Sequence, residues 1–272
     1  MEIESPKSKL PRTSKIFMSD YLSEFQKLID VLESLLAPGG CEWDRKQTHE
    51  SLVPYLLEET HEVIEAIERG DMNSLKEELG DLMLHLLFQA KLAESEGHFN
   101  ISDSLKEISS KLIRRHPHVF EGATQPKDEN VSWEQAKKKE KNRESVLDGV
   151  PLSLPTLTRA RRIQEKASSV GFDWKTIKPV WEKVHEEISE LNEAIDSKDT
   201  DKIKDEMGDA LFSIVNLARF LDIDPEASLR QTIRKFETRF KKVEKSFESN
   251  KEMSNASLDQ MDKIWSKAKK EE

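Results

Sequence analysis

Glu58-Glu59-Thr60-His61-Glu62 and Glu77-Glu78-Leu79-Gly80-Asp81 return downstream as Glu186-Glu187-Ile188-Ser189-Glu190 and Asp205-Glu206-Met207-Gly208-Asp209. One offset, 128 residues (187 − 59 and 206 − 78), relates both blocks without a gap. Two further echoes keep the same order at slightly different offsets. Lys111-x-x-x-Arg115 is matched by Lys235-x-x-x-Arg239, and Trp133-x-x-x-Lys137 by Trp265-x-x-x-Lys269. Four motifs repeated in order mark a duplicated module.

Outward from these blocks, apolar residues recur at helical spacing almost throughout. Leu22, Phe25, Leu28, Ile29, Leu32 and Leu36 predict a first helix, stopped by Pro38-Gly39-Gly40. Further helices are predicted over 52–69, 73–96 and 102–115, the last ending before His116-Pro117. After a stretch of changed character, helices follow over 156–169, 179–196, 200–221, 225–248 and 258–270. The chain thus reads as all-α, with two tandem four-helix-type modules. Residues 1–19 read as a disordered tail and 20–120 as the first module. Residues 121–155 read as a flexible linker with a short basic helix around Lys137-Lys138-Lys139-Glu140-Lys141, and 156–272 as the second module. Met18 is an alternative start.

Composition narrows the function. Charged residues form 35% of the 272 and aromatics 7%, which suits amphipathic helices with solvated faces. A formal net charge of −10 argues against direct nucleic-acid binding, which needs a basic footprint. It leaves room for a polyanion bridged to acidic side chains by metal ions. Cys41 is the single cysteine, so a reducing, cytoplasmic setting is expected. No apolar run suffices to cross a bilayer, and the first segment lacks the apolar stretch of a signal peptide.

Glu59 and Glu62 stand three residues apart, as do Glu78 and Asp81, so each pair shares a helix face. The reversal at Glu68-Arg69-Gly70-Asp71 makes the two helices antiparallel. At about 1.5 Å per residue the four carboxylates reach similar heights. Four such charges repel strongly, and a divalent cation offsets the repulsion. An all-oxygen donor set favours Mg²⁺, with Mn²⁺ as a possible substitute. Glycine in mid-helix at Gly80 and Gly208 costs roughly 1 kcal/mol relative to Ala, which a close approach by a neighbouring helix or a ligand would justify. Solvated helix charges are the plain alternative for any one Glu-x-x-Glu. The interleaved Leu79, Leu82, Met83, Leu86 and Leu87 argue against it here. Glu58-x-x-His61 and Glu182-x-x-His185 fit the spacing of diiron bundles, but neither histidine recurs in the repeat.

Glu-Glu-x-x-Glu followed by Glu-x-x-Asp on the next helix resembles the signature of the MazG family of all-α nucleoside triphosphate pyrophosphohydrolases. The strings Cys41-Glu42-Trp43-Asp44-Arg45-Lys46-Gln47-Thr48-His49, Arg114-Arg115-His116-Pro117-His118-Val119-Phe120 and Val215-Asn216-Leu217-Ala218-Arg219 strengthen the likeness, which extends from about residue 20 onward. The tandem layout is similar to the two-module bacterial form. The resemblance implies Mg²⁺-dependent hydrolysis between the α- and β-phosphates of (d)NTPs, and a homodimer. It implies metal ligands at Glu187, Glu190, Glu206 and Asp209, and at Glu59, Glu62, Glu78 and Asp81 in the first module. Glu186 is a candidate to orient the attacking water. Lys235 and Arg239 share a helix face and are suited to phosphate oxygens. The resemblance adds Lys183, Lys202, Asp205, Trp265 and Lys269 as nucleotide contacts.

The modules differ in their cations. At the offset of 128, Lys183 answers to Tyr55 and Lys202 to Ser74. The second module is therefore expected to be the stronger site. Two other functions stay open at this point. One is a non-catalytic nucleotide- or metal-sensing scaffold, and the other a narrower phosphoribosyl-ATP or dUTP pyrophosphohydrolase.

Overall fold

The computed structural model describes residues 14–120, 122 and 144–271, and every regular element among them is helical. The chain divides into two compact units, residues 1–125 and 126–272. Within the first lie α1 (Ser14–Leu36), α2 (Val53–Arg69), α3 (Met72–Ser95), α4 (Ile101–Arg115) and the single turn α5 (Pro117–Phe120). Within the second lie α6 (Thr156–Ser168), α7 (Ile177–Ser197), α8 (Thr200–Phe220), α9 (Pro225–Glu244), α10 (Asn250–Asn255) and α11 (Leu258–Lys270).

Each unit is organised around one helical hairpin, α2 with α3 and α7 with α8. The turn chemistry is duplicated with the carboxylates. Gly70 ends α2 in the left-handed region at φ 68°, and Asp71 then caps α3 by accepting from the Asn73 and Ser74 amides. In the second unit Lys198 takes that left-handed position at φ 59°, and Asp199 accepts from the Asp201 and Lys202 amides. A left-handed lysine is uncommon, and its tolerance here shows how strongly the hairpin dictates the turn.

α1 packs on α3 through the stripe read from the sequence. Leu32 is buried with Leu52, Leu87 and Phe88, and Phe25, Leu28, Ile29 and Leu36 close over them. Beyond α1, Gly40 is obligatory, because a Cβ there would stand 2.3 Å from the Leu35 carbonyl oxygen. In the second unit α6 lies on α8, and α9 packs on α6 and α11. Buried Val180, Leu191, Ala194, Ala210, Val215, Val243 and Ala268 mark its interior.

Some boundaries differ from expectation. α1 begins at Ser14, inside the segment read as tail, because no breaker separates Ser14 from Leu22. The helix expected over 225–248 stops at Glu244, and Ser249 caps a new helix by accepting from the Glu252 amide. α5 was not anticipated; Pro117 opens it where an amide donor is not needed. The tail before residue 14, the basic run at 137–141, Trp133 and Lys137 lie outside the described residues.

The hairpin turn gives the first prediction. Asp199→Ala removes the cap of α8 and should lower the stability of the second unit by about 1 kcal/mol, with Asp199→Ser retaining most of it. Denaturant midpoints followed by circular dichroism check this.

Candidate active site

The α2–α3 hairpin brings carboxylate oxygens of Glu59, Glu78 and Asp81 within 4.8 Å of one another. Glu62 stands close enough to Glu59 and Glu78 to raise the pKa of both. The α7–α8 hairpin gathers Glu187, Glu190 and Glu206 within the same span. Asp209, one turn beyond Glu206, instead lines a cavity together with Glu187. Thus three of the four expected ligands converge tightly in each module, and the fourth stands beside them.

Electrostatics reflects the crowding. Partial burial pushes Glu59 above the ordinary carboxylate range, and Asp81, Glu62 and Glu78 push it further. Glu78 is raised by desolvation and then by Glu62, Glu77 and Asp81. Glu190 is raised by desolvation, Glu187 and Glu206, against the opposing pull of Lys183. Carboxylates crowded together in this way are relieved by a cation. Clustered carboxylate oxygens with no nitrogen or sulfur donor among them fit a hard divalent ion such as Mg²⁺ or Mn²⁺.

The surroundings of the two clusters diverge. Beside the second opens a cavity of about 700 Å³. Glu187, Asp209 and Lys183 form its acidic and cationic end, and Ile163, Phe172, Trp174, Val180 and Phe212 supply apolar wall. Lys183 Nζ stands 2.6 Å from Glu187 and 2.8 Å from Glu186. These partners push its already high pKa further up, so it is a fixed cation. Along α8, Glu206, Asp209, Ser213, Asn216 and Arg219 recur at intervals of three and four and so follow one face. All but Glu206 line the cavity.

At the offset of 128 the same face of α3 carries Glu78, Asp81, His85, Phe88 and Lys91. Phe88, in the place of Asn216, is buried in the core with Leu32, Leu52 and Leu87. His85 stacks on Tyr55 with ring centroids 6.4 Å apart, and its Nε2 lies 3.9 Å from Glu59. Lys91 is ion-paired to Glu33 and Glu94. Where the second module lines a cavity, the first thus places packed core and paired side chains.

The description "MazG nucleotide pyrophosphohydrolase domain" fits residues 47–120 and 175–244, one stretch per hairpin. The chain belongs to the MazG family. It is 48% identical over 248 residues to the nucleoside triphosphate pyrophosphohydrolase/pyrophosphatase MazG of Thermotoga maritima, covering 90% of this chain and 95% of that protein. It is 42% identical over 260 residues to the nucleoside triphosphate pyrophosphohydrolase of Escherichia coli K12, covering 92% and 99%. Identity to YabN of Bacillus subtilis, an uncharacterized protein, is 44% over 256 residues, covering 92% of this chain and 52% of YabN.

In this MazG-family chain the remaining expected residues are dispersed. Glu186 is exposed and paired to Lys183. Lys202 and Asp205 lie exposed on the first turns of α8, ahead of Glu206. Arg239 on α9 stands over the Trp265 ring on α11, 5.6 Å from its centroid, and Phe236 packs on the same ring. Lys235 and Lys269 are exposed on those two helices. Among the described residues, none of this α9–α11 group lines the cavity. Of the helix or ligand expected close to Gly80 and Gly208, no helix among the described residues approaches either, and a Cβ there would meet open space. His61 and His185 join neither carboxylate cluster.

Several neighbours of the sites escaped the sequence. His85 beside Glu59 is legible only by carrying the repeat comparison past the acidic motifs, and Asn216, quoted within the Val215–Arg219 string, was given no role there. Gln164 on α6 and Asp173 carry no sequence signal, and the pairing of Asp173 with Arg219, at 2.7 and 2.9 Å, joins a residue of the Val215–Arg219 string to one the sequence did not single out. Asp173 is held low despite burial, because Arg219 and Ser168 hydrogen-bond its charged form.

A carboxyl with a raised native pKa keeps its proton to higher pH than in the unfolded chain. The cluster glutamates therefore favour folding most below the ordinary value of 4.5 and progressively less as pH rises through their raised values. In chelator, the wild-type melting temperature should fall relative to Glu59→Gln/Glu78→Gln/Glu190→Gln as pH rises above 4.5. Mg²⁺ should reverse that fall in the wild type alone.

Proposed function

We propose that this chain is a Mg²⁺-dependent nucleoside triphosphate pyrophosphohydrolase. It cleaves (d)NTPs between the α- and β-phosphates to (d)NMP and pyrophosphate, with the second module as the stronger site. The observation that carries this reading is the cavity that opens beside Glu187, Asp209 and Lys183. The names of the Thermotoga and Escherichia relatives support the substrate class.

In this reading Glu187, Glu190, Glu206 and Asp209 hold Mg²⁺, and Glu59, Glu62, Glu78 and Asp81 hold it in the first module. Mn²⁺ is an acceptable substitute. The bound ion supplies positive charge against the phosphate oxygens and acidifies a water. Lys183 adds a fixed cation at the same end of the cavity. Glu186, next to it, or a quartet carboxylate not fully used as a ligand, would orient the attacking water. Lys202, Asp205, Lys235, Arg239, Trp265 and Lys269 are proposed nucleotide contacts, on the family likeness. Arg239, held over the Trp265 ring, offers its guanidinium to a phosphate oxygen, with Trp265 capping the site.

The first module keeps the carboxylates without the lysine, with Tyr55 and the buried Phe88 at the positions of Lys183 and Asn216. We read it as weaker or regulatory. Glu206→Ala should reduce Mg²⁺-dependent pyrophosphate release by about 10²-fold or more, and Glu78→Ala by far less. A larger loss from Glu78→Ala would overturn the assignment. Removal of the metal by chelation should abolish release, with recovery on adding Mg²⁺ or Mn²⁺.

The working form is proposed to be a cytoplasmic homodimer. Leu79, Met83 and Leu86 on α3, and Met207, Leu211 and Ile214 at the matching positions of α8, are 39–51% exposed. No helix among the described residues is long and apolar enough to cross a membrane. Such duplicated apolar stripes call for a cover. Light scattering after gel filtration should give twice the 31.4 kDa chain mass, and Leu211→Asp should lower it.

A further inference from the structure

Gln164 is 8% exposed and forms part of the cavity wall. Its Nε2 donates to the Phe212 carbonyl oxygen at 2.9 Å. A carbonyl only accepts, so this bond fixes the orientation of the amide. Oε1 is left as an acceptor, and it is buried without a donor. Buried polar atoms of this kind are rare and ask for a ligand.

On the facing helix, Asn216 also lines the cavity. Its Oδ1 receives the Arg219 Nε hydrogen at 2.9 Å, which leaves its NH₂ to donate. Arg219 is itself locked by the bidentate pair with Asp173. The wall thus carries an acceptor and a donor on adjacent helices, set among Ile163, Phe172, Trp174 and Phe212. Asn216 lies seven residues along α8 from Asp209, about 10 Å at 1.5 Å per residue. That separates it from the carboxylates by the span between a triphosphate and its base.

We propose that this end of the cavity reads the nucleobase edge. Gln164 Oε1 accepts a hydrogen bond from a ring or exocyclic N–H, and the Asn216 NH₂ donates to a neighbouring ring nitrogen or carbonyl. The inference rests on reading the cavity as a nucleotide site. Each common base offers an N–H beside an acceptor, so the pair admits them all and rejects bases whose N–H is blocked. The first module has no such reader, since Phe88 stands where Asn216 does.

Uridine triphosphate tests this cleanly, because N3–H is the only hydrogen-bond donor on its base. The wild-type chain should favour it over 3-methyluridine triphosphate by about tenfold in kcat/KM, mostly through KM, as expected when a buried acceptor loses its partner. In Gln164→Leu, which keeps the bulk and removes the acceptor, the ratio should approach one. Equal use of the two substrates by the wild type overturns the proposal, as does undiminished discrimination in Gln164→Leu, which would mean simple steric exclusion. Should that variant not fold, Asn216→Asp keeps the acceptor for Arg219 and should raise the KM for uridine triphosphate about tenfold, an unchanged KM counting against the proposal. If the wild type releases no pyrophosphate, the proposed function fails by itself. Calorimetric binding of uridine against 3-methyluridine then decides the base reader on the same ratio.

Discussion

Mutual repulsion among carboxylates is the constraint on which the rest of each module depends. Glu59, Glu78 and Asp81, and again Glu187, Glu190 and Glu206, are held within a few ångströms by two helices that a short turn leaves no choice but to pack together. Burial first, and the neighbouring carboxylates after it, push Glu59, Glu78 and Glu190 above the ordinary carboxylate range. The hairpin is stiffened where the strain is met. A left-handed residue and an aspartate cap close each turn, and apolar residues behind the acidic face anchor each helix. A site that stores repulsion in this way is poised for a cation and gains stability when one arrives.

Duplication let the two copies part company without disturbing that scaffold. Both keep the hairpin, its caps and its acidic face. What changed is the face that continues from the carboxylates along α3 and α8. His85 and Phe88 turn the first copy inward, and Phe88 joins a core closed by α1. Ser213, Asn216 and Arg219 keep the second copy polar, and a cavity takes the space. A few side chains on one helix face thus separate a packed module from a hollow one. Burying an aromatic ring there adds apolar contact, whereas hollowness must be sustained by a framework such as the Asp173–Arg219 pair.

Much of this was legible in the sequence, and the reasons are local. Period-3.6 patterning marks the helices, and the Glu68–Asp71 reversal marks the first hairpin turn. Glu-x-x-Glu and Glu-x-x-Asp spacings placed carboxylates on shared faces. Misjudged boundaries, such as the start of α1 and the break at Ser249, turned on weak signals that one capping hydrogen bond can decide. Among the described residues no helix stands close to Gly80 or Gly208, because a helix pattern reports what a position permits, not what stands opposite it.

The sequence by itself determined the all-α class, the duplication and the two acidic hairpins, because each rests on residues near one another along the chain. Only the tertiary structure decided that one hairpin borders a cavity and the other a core. That outcome depends on α6 and the 170–174 loop meeting α8, as in the Gln164–Phe212 and Asp173–Arg219 contacts, across 46 to 48 residues of chain. No spacing rule spans that distance. The space between packed helices is set by which side chains happen to fill it.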